Sequence, residues 1–335
     1  MLEDTSKMVN TSRIVRPLSQ ITLGSPPAVS VLMPVYNTEK YVAEAVDSIL
    51  AQTFGDFEFV IVNDGSTDGT LRILEEYAAR DQRIVLLSRP NTGMTRALND
   101  GLAVCRGEFI ARMDADDISE SNRLEVQIAY LQQHPDVVVV GADYRVIDEK
   151  GRVFSLMRHA TSHSQIVDKL FCGSCSINHP SVVVRKAAIE AVGGYDERYV
   201  YGQDYDLWLR LSEKGVLANL DHFLMRYRHH ECSITGGSIQ KYCEDSRNAW
   251  RAAVVRRNLH SLQEPTFRPW RANRQIDTYT FMRHRAKSAF RIGEYYTGAI
   301  YTLKAAGYLS LQPKRLYDMF AGRVRRGFRK RAHFE

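Results

Sequence analysis

From residue 28 to about residue 134, the sequence alternates short apolar segments with segments of helical periodicity. The apolar segments are VSVLMPVY, FEFVIV, RIVLLS and GEFIARM, and each precedes a stretch such as TLRILEEYAAR, in which apolar residues recur every three or four positions. Strands that are apolar throughout, and that helices join, form parallel sheets covered on both faces. The sequence therefore predicts an α/β fold with a mostly parallel sheet flanked by helices.

The second half of the chain is less regular, and from about Ile239 its pattern is helical to the end. Residues 283–313 predict a helix pair that is broken around Gly293–Tyr296. The side chains expected to face one another across this pair are Ala286, Phe290, Ala299 and Leu303. These patterns divide the chain into an N-terminal extension (1–27), an α/β domain (28–238) and a helical C-terminal region (239–335).

Charge is distributed unevenly between the two parts of the chain. Residues 240–335 contain 21 Lys and Arg against 7 Asp and Glu, a net charge of +14. Residues 1–239 contain 24 basic and 32 acidic residues, a net charge of −8. An acidic body joined to a basic tail suggests that the two parts have different partners.

Several classes of protein do not fit this sequence. No run of 18 apolar residues occurs, so a membrane-spanning helix is not predicted. The first 27 residues lack the apolar core of a signal peptide, and five scattered cysteines do not form a disulfide framework. We therefore expect a cytoplasmic protein.

Acidic residues follow two of the predicted strands, at the sheet edge where parallel sheets bind ligands. The loop NDGSTDGT begins with Asn63 and Asp64, and a well-capped turn explains its other polar residues but not Asp64. The loop MDADDIS holds Asp114, Asp116 and Asp117. Three neighbouring carboxylates suit Mg²⁺ or Mn²⁺, although a solvated acidic turn explains the same pattern.

A third acidic segment is GQDYDLWLRL, in which Asp204 lies at or just before the start of a predicted helix. A carboxylate is favourable there because it caps the helix and interacts with the helix dipole. The residues alone leave capping and a functional role equally open.

Five segments occur together in one order and spacing: VSVLMPVYN, VNDGSTDGT, NTGMTRALNDGL, GEFIARMDADD and GGYDERYVYGQDYDLWLRL. They closely resemble the family 2 inverting glycosyltransferases, which have the GT-A (nucleotide-diphospho-sugar transferase) fold. The resemblance covers roughly residues 29–235. It implies that residues 28–238 form a catalytic domain that moves a sugar from a UDP-sugar to an acceptor hydroxyl.

The resemblance also implies roles for single residues in the donor site. Asp64 would contact the uracil base, Asp114 would lie near the ribose and diphosphate as the first acid of a DxD motif, and Asp116 would ligate Mn²⁺ or Mg²⁺. The segment YRHHECS implies that His230, rather than its neighbour His229, lies beside the diphosphate and the metal. The remaining residues implied to line the donor site are Pro34, Tyr36, Asn37, Gly93 and Arg96.

The catalytic base implied by the resemblance is Asp204. The family more often has Glu before that Asp, whereas this chain has Gln203, which puts in doubt any role for the neighbour but not for the base. A base placed opposite the leaving diphosphate would give a single displacement with inversion at the sugar carbon.

The basic C-terminus suggests a membrane partner. Residues 314–331 contain eight Lys and Arg interleaved with apolar side chains, a composition that suits an anionic membrane surface. The acceptor would then be a saccharide or a lipid-linked saccharide in surface polysaccharide or glycolipid assembly, and the protein would lie on the inner face of the membrane. A solvated helical face remains the alternative, and nucleic acid is not expected because the acidic body repels phosphates.

Two other functions compete with sugar transfer. Sugar-nucleotide nucleotidyltransferases share a related fold and metal requirement, but they open with a Gly-rich loop and a basic residue where this chain has PVYNTEKY. A non-catalytic sugar- or nucleotide-binding module is the second alternative. It would have no need of Asp204 in addition to the donor-site acids.

Overall fold

The computed structural model describes residues 13–14, 25–230, 239–267 and 278–310. The strands within these ranges are β1 (Arg13–Ile14), β2 (Val29–Val35), β3 (Phe57–Asp64), β4 (Ile84–Arg89), β5 (Phe109–Arg112), β6 (Ile118–Ser119), β7 (Val137–Ile147), β8 (Val153–Met157), β9 (Val183–Arg185) and β10 (Val216–Arg228). The helices are α1 (Val42–Leu50), α2 (Thr70–Arg80), α3 (Met94–Val104), α4 (Arg123–Gln133), α5 (His163–Phe171), α6 (Lys186–Ala191), α7 (Gln203–Leu211), α8 (Ile239–Arg256), α9 (Thr278–Arg291) and α10 (Tyr295–Ser310), with a 3-10 turn at His179–Ser181.

The strands form one mixed sheet in the order β1-β4-β3-β2-β5-β9-β7-β10-β6, and β8 pairs with β7 beside this path. The neighbours β4, β3, β2 and β5 are parallel. Beyond β5 the sheet becomes antiparallel, because β9 runs against both β5 and β7. The structure thus confirms the α/β prediction and adds an antiparallel half that follows the acidic loop.

The core lies on both faces of the parallel half. Every residue of β2 and β3 is buried, which explains why these strands are apolar without alternation. Helix α3 packs directly on β2: a Cβ added at Gly101 would lie 2.2 Å from Leu32 Cδ1. Glycine at this position therefore sets how closely the helix approaches the sheet.

The N-terminal extension contributes the short edge strand β1, whose residues pair antiparallel with Leu87 and Ser88 of β4. The chain divides into two compact units, residues 1–145 with 157–272 and residues 146–156 with 273–335. Helix α8 falls in the first unit. The boundaries expected from the sequence at residues 27 and 238 remain predictions about domains.

The second unit contains the expected helix pair, which breaks between Arg291 and Tyr295. Its packing differs from the expectation, because Leu303 is 72% exposed and Tyr301, two positions earlier, is 2% exposed. The Tyr301 hydroxyl donates to Asp148 Oδ2 at 2.8 Å. Apolar spacing alone gave the wrong face of α10 because an aromatic side chain with a polar partner occupies the inward position.

Within the described parts of the chain, none of the helices combines the length and the apolar character that a membrane-spanning segment needs. The basic segment 314–331 lies outside the described residues.

Candidate active site

The acidic loop after β5 brings together Asp114, Asp116 and Asp117, with carboxylate oxygens within 4.8 Å of one another. Asp117 is 1% exposed; its Oδ1 accepts from the backbone N–H of Arg228 at 2.7 Å, and its Oδ2 has no hydrogen-bond partner. Burial, together with the charges of Asp116 and Asp114, raises the pKa of Asp117 well above its ordinary value. A buried, unsatisfied carboxylate oxygen among like charges fits a hard divalent cation, which prefers oxygen ligands.

The carboxylates of Asp114 and Asp116 each have a positively charged or imidazole neighbour. Asp114 Oδ1 lies 2.5 Å from Nη1 of Arg112, and burial raises the pKa of Asp114 against the influence of that guanidinium. Asp116 Oδ2 lies 2.7 Å from Nε2 of His230, whose ring packs against Tyr41 at 4.9 Å. The histidine that the resemblance implied thus lies beside the expected metal ligand.

Two buried arginines fix the backbone of the acidic loop. Arg123, which is fully buried, donates through Nη2 to the carbonyls of Arg112 and Val182 at 2.8 and 3.1 Å. Burial lowers the pKa of Arg123 to about 9, and the charge of Arg112 acts in the same direction. Arg228 donates through Nε to the carbonyl of Asp116 at 2.8 Å. The end of β5 that leads into the loop is therefore joined to the residue before β9, and the loop itself is joined to β10.

Asp64 ends β3 and holds the loop that follows β4. Its Oδ1 accepts from Arg89 Nη2 at 2.8 Å and from the N–H of Thr92 at 3.0 Å, and its Oδ2 accepts from the N–H of Gly93 at 2.9 Å. Charge-assisted hydrogen bonds of this kind are stronger than neutral ones. Asp64 therefore fixes the loop between β4 and α3.

The loop after β2 is joined to the loop after β3. Asn37 has a φ of +50° and accepts through Oδ1 from the N–H of Thr67 at 2.7 Å. Tyr36, immediately before it, is 46% exposed, whereas Pro34 is buried within β2. Of these three expected donor-site residues, Tyr36 therefore presents a solvent-exposed aromatic ring next to the turn at Asn37.

The expected residues on α3 differ in their surroundings. Gly93 directly precedes the helix with a φ of +101°, a conformation that L side chains rarely adopt, and its N–H is one of those bound by Asp64. Arg96 is 57% exposed, and its Nε donates to Glu197 Oε2 at 2.9 Å. In the free protein this arginine is held by an exposed ion pair.

Asp204 is the second residue of α7, so Gly202 occupies the N-cap position and the carboxylate lies inside the first turn. Its Oδ1 accepts from the N–H of Tyr205 at 2.8 Å. Burial raises the pKa of Asp204, although the Tyr205 N–H and the charge of Arg112 oppose the shift. Gln203, directly before Asp204, and Arg112, two residues before Asp114, approach the same Met94 sulfur at 4.0 and 3.6 Å, so the acidic loop and Asp204 belong to one site. A buried carboxylate with a raised pKa can accept a proton near neutral pH.

The position of α7 depends on buried polar contacts with other elements. Asp206 accepts from Nη2 of Arg210 at 2.5 Å, and Arg210 Nη1 donates to the carbonyls of Val192 and Gly194 at 2.8 Å. From α3, the side-chain amide of Asn99 donates to the carbonyl of Tyr195 at 2.9 Å. These bonds hold the segment 192–195 against α7 and α3.

Among the residues that the sequence analysis did not identify are the buried cation Arg112 and the hydrogen-bonded pair of His179 and Tyr195. Arg112 is 3% exposed and ends β5. The available signal was a charged residue between an apolar strand and an acidic loop. His179 Nε2 contacts the Tyr195 hydroxyl at 2.7 Å. Burial, together with the charge of Arg112, lowers the pKa of His179 well below its usual range. This histidine therefore stays neutral.

Comparison with known proteins gives a consistent result. Residues 30–193 match the family described as Glycosyl transferase family 2. The O-antigen biosynthesis glycosyltransferase WbnJ of Escherichia coli is 34% identical over 218 residues, which span 64% of this chain and 84% of WbnJ.

Two solved structures have a similar fold. The chain matches S. aureus TarS 1-349 in complex with UDP-GlcNAc with a TM-score of 0.56 and 22% identity, over 68% of this chain and 66% of TarS 1-349. It matches the mannosyltransferase PcManGT from Pyrobaculum calidifontis, in complex with GDP-Man and Mn²⁺, with a TM-score of 0.53 and 17% identity, over 87% of this chain and 83% of the other.

Proposed function

Because the chain belongs to glycosyl transferase family 2, and is therefore a glycosyltransferase with a GT-A fold, we propose that it transfers a sugar from a UDP-sugar to an acceptor hydroxyl. The transfer proceeds with inversion and with a bound divalent cation. The observation that carries this proposal is the acidic loop 114–117 in one site with Asp204, joined through the Met94 sulfur that both Arg112 and Gln203 approach.

Asp204 acts as the base in this mechanism. An alcohol has a pKa far above 7, so its attack on the sugar carbon needs a positioned group to take the proton, which contributes typically ~10²–10⁴-fold in rate. As the acceptor oxygen bonds to the sugar carbon, its proton passes to the Asp204 carboxylate. The bond from the same carbon to the diphosphate breaks on the opposite face, which inverts the sugar carbon.

Asp116 and Asp117 would hold the divalent cation, and His230 contacts Asp116. A bound Mn²⁺ or Mg²⁺ supplies positive charge that stabilises the leaving diphosphate. Carboxylate oxygens favour these two ions over softer metals. Within the chain itself, Arg112 places a further positive charge beside Asp114.

The donor nucleotide lies over the loops that follow β2, β3 and β4. Asp64 contacts the uracil base. The other residues of the donor site are Pro34, Tyr36, Asn37, Gly93 and Arg96. The TarS structure with UDP-GlcNAc supports a sugar nucleotide as the ligand class, and the PcManGT structure with GDP-Man and Mn²⁺ supports a metal in such a fold.

The acceptor is a saccharide or a lipid-linked saccharide in polysaccharide assembly. The name of WbnJ, an O-antigen biosynthesis glycosyltransferase, supports this class. Family membership disfavours the nucleotidyltransferase and the non-catalytic module, since a binding module needs no base such as Asp204.

A donor screen tests the proposal directly. We expect Mn²⁺-dependent hydrolysis of at least one of UDP-glucose, UDP-galactose, UDP-N-acetylglucosamine and UDP-glucuronate, with UDP and not GDP raising the melting temperature. GDP-mannose serves as the control for the nucleobase, because it carries guanine in place of uracil. Hydrolysis of GDP-mannose alone would contradict the uridine assignment, and hydrolysis of none in any metal would contradict the proposed donor class.

The basic segment 314–331 binds an anionic membrane surface in this proposal. Deletion of residues 314–335 is expected to weaken binding to vesicles that contain phosphatidylglycerol by at least about 100-fold, since each basic residue near such a surface contributes ~1 kcal/mol. Donor hydrolysis should remain intact. Co-sedimentation at low and high salt measures the effect, and a full-length variant with the eight basic residues changed to Gln separates charge from length. Unchanged, salt-insensitive binding after deletion would rule out this role.

A further inference from the structure

Arg112 is a buried cation that the acidic loop does not fully satisfy. Its side chain is 3% exposed, its Nη1 forms the ion pair with Asp114, and its Nη2 lies 3.6 Å from the sulfur of Met94. Its Nε–H has no hydrogen-bond acceptor in the described structure. Leaving a buried donor unpaired is unfavourable, so this group is expected to have a partner in the working enzyme.

Gln203 presents a complementary unsatisfied group at the same place. It is 5% exposed, and its Nε2 lies 4.0 Å from the same Met94 sulfur that Arg112 contacts. Its Oε1 accepts no hydrogen bond from the residues that the structure describes. Two side chains that approach the same methionine sulfur therefore carry one unpaired donor and one unpaired acceptor.

This pair lies between the two halves of the proposed chemistry. Arg112 is two residues before Asp114 in the acidic loop, and Gln203 directly precedes Asp204. In the proposed reaction the leaving diphosphate is held at the acidic loop and the acceptor hydroxyl at Asp204. The transferred sugar must therefore occupy the space between them, beside Arg112 and Gln203.

We propose that Arg112 and Gln203 form a subsite for the donor sugar, in which Arg112 Nε–H donates to a sugar hydroxyl and Gln203 Oε1 accepts from a hydroxyl or amide of the same sugar. The inference rests on the proposed function and adds to it the residues that recognise the transferred sugar itself. The nucleotide is held elsewhere, on the loops after β2, β3 and β4, so sugar and nucleotide recognition can be separated by experiment.

Two conservative variants test the subsite. Arg112→Lys keeps the charge beside Asp114 but removes Nε–H, and Gln203→Met keeps the volume but removes the acceptor. We expect each to lower kcat/KM for hydrolysis of the best of the four UDP-sugars by roughly tenfold, the effect of about 1.4 kcal/mol. The Kd for UDP with Mn²⁺, measured by calorimetry, should change by less than about twofold, since UDP lacks the transferred sugar.

The matched control is Arg185→Lys. Arg185 is a largely buried arginine of β9 that donates to the carbonyls of Val137 and Leu131, so its variant should lower the melting temperature without changing the ratio of UDP-sugar to UDP recognition. If Arg112→Lys fails to fold, Gln203→Met, whose side chain already lies against Met94, still decides the question.

The outcomes separate the subsite from the proposed function. An active wild type whose two variants hydrolyse the donor normally, or lose UDP affinity by the same factor as kcat/KM, overturns the subsite alone. A folded wild type that hydrolyses none of the four UDP-sugars overturns the proposed donor class, and the subsite falls with it.

Discussion

Replacing Asp204 with Asn is expected to lower sugar transfer by roughly 100-fold or more while UDP and Mn²⁺ binding stay close to normal. Asn cannot take the proton of the acceptor hydroxyl. The helix should survive, because Asp204 lies inside the first turn of α7 rather than at its cap, and loss of its charge there costs at most about 1 kcal/mol. Transfer rate, UDP calorimetry and melting temperature measure the three effects.

Asp206 offers a matched control in the same helical turn. Its carboxylate is bonded to Arg210 and serves packing, so Asp206→Asn should lower the melting temperature more than Asp204→Asn does, with far less effect on turnover per folded molecule. The reverse pattern, an active Asp204→Asn enzyme with a loss only in stability, would end the assignment of Asp204 as the base.

The same assignment fixes the direction of a pH effect. Burial raises the pKa of Asp204, and the base must be ionised to accept a proton. Transfer should therefore fall as the pH drops through a pKa above the 3.8 of an ordinary aspartate. Asp204→Asn should abolish this acid limb in its residual activity.

The second large effect is expected from Asp116→Asn, which removes a carboxylate that the proposed cation needs. We expect loss of the Mn²⁺-dependent tightening of UDP binding and a fall in transfer of roughly 100-fold, comparable to the loss of other groups that stabilise developing charge. The fold should survive, because the Asp116 side chain is 22% exposed and its hydrogen bond to His230 can be kept by an amide. Calorimetry of UDP with and without Mn²⁺ gives the answer.

The untreated and the metal-depleted wild type provide the comparison for that variant. Wild type freed of metal by a chelator should bind UDP as weakly as Asp116→Asn does, and Mn²⁺ should restore only the wild type. Equal UDP affinity of the wild type with and without Mn²⁺ would contradict a cation at the acidic loop.

The parallel half of the fold could be predicted from the sequence because its strands are buried on both faces. The runs VSVLMPV and FEFVIV are almost entirely apolar, and their short length and β-branched residues favour a buried strand over a helix. The antiparallel half was not predicted, because β10 mixes buried and exposed positions and β6 has only two residues. Such strands are defined by their neighbours in the sheet, which local sequence does not reveal.

The site shows the same division between local and distant information. Loop position after a strand identified Asp64 and the acidic loop, since strand ends can be found from local pattern. The roles of Arg112 and Gln203 could not be found in this way, because what distinguishes them is an unpaired atom in a place built from β5, α3 and α7. Only the assembled chain shows which polar groups remain unsatisfied.

The contacts that build the two sides of the site differ in how much chain they enclose. On the nucleotide side, Asp64 bonds to residues 28 and 29 positions away. Near the proposed catalytic base Asp204, Thr95 bonds to Tyr199 across 104 positions, and at the acidic loop Asp116 meets His230 across 114. Because closing a loop costs about (3/2)RT ln n, each of the longer closures costs about 1 kcal/mol more. We therefore expect the proposed nucleotide side of the site to form early during folding and the segment that carries Asp204 to form last. A chain still being synthesised would then bind a nucleotide before it can transfer a sugar.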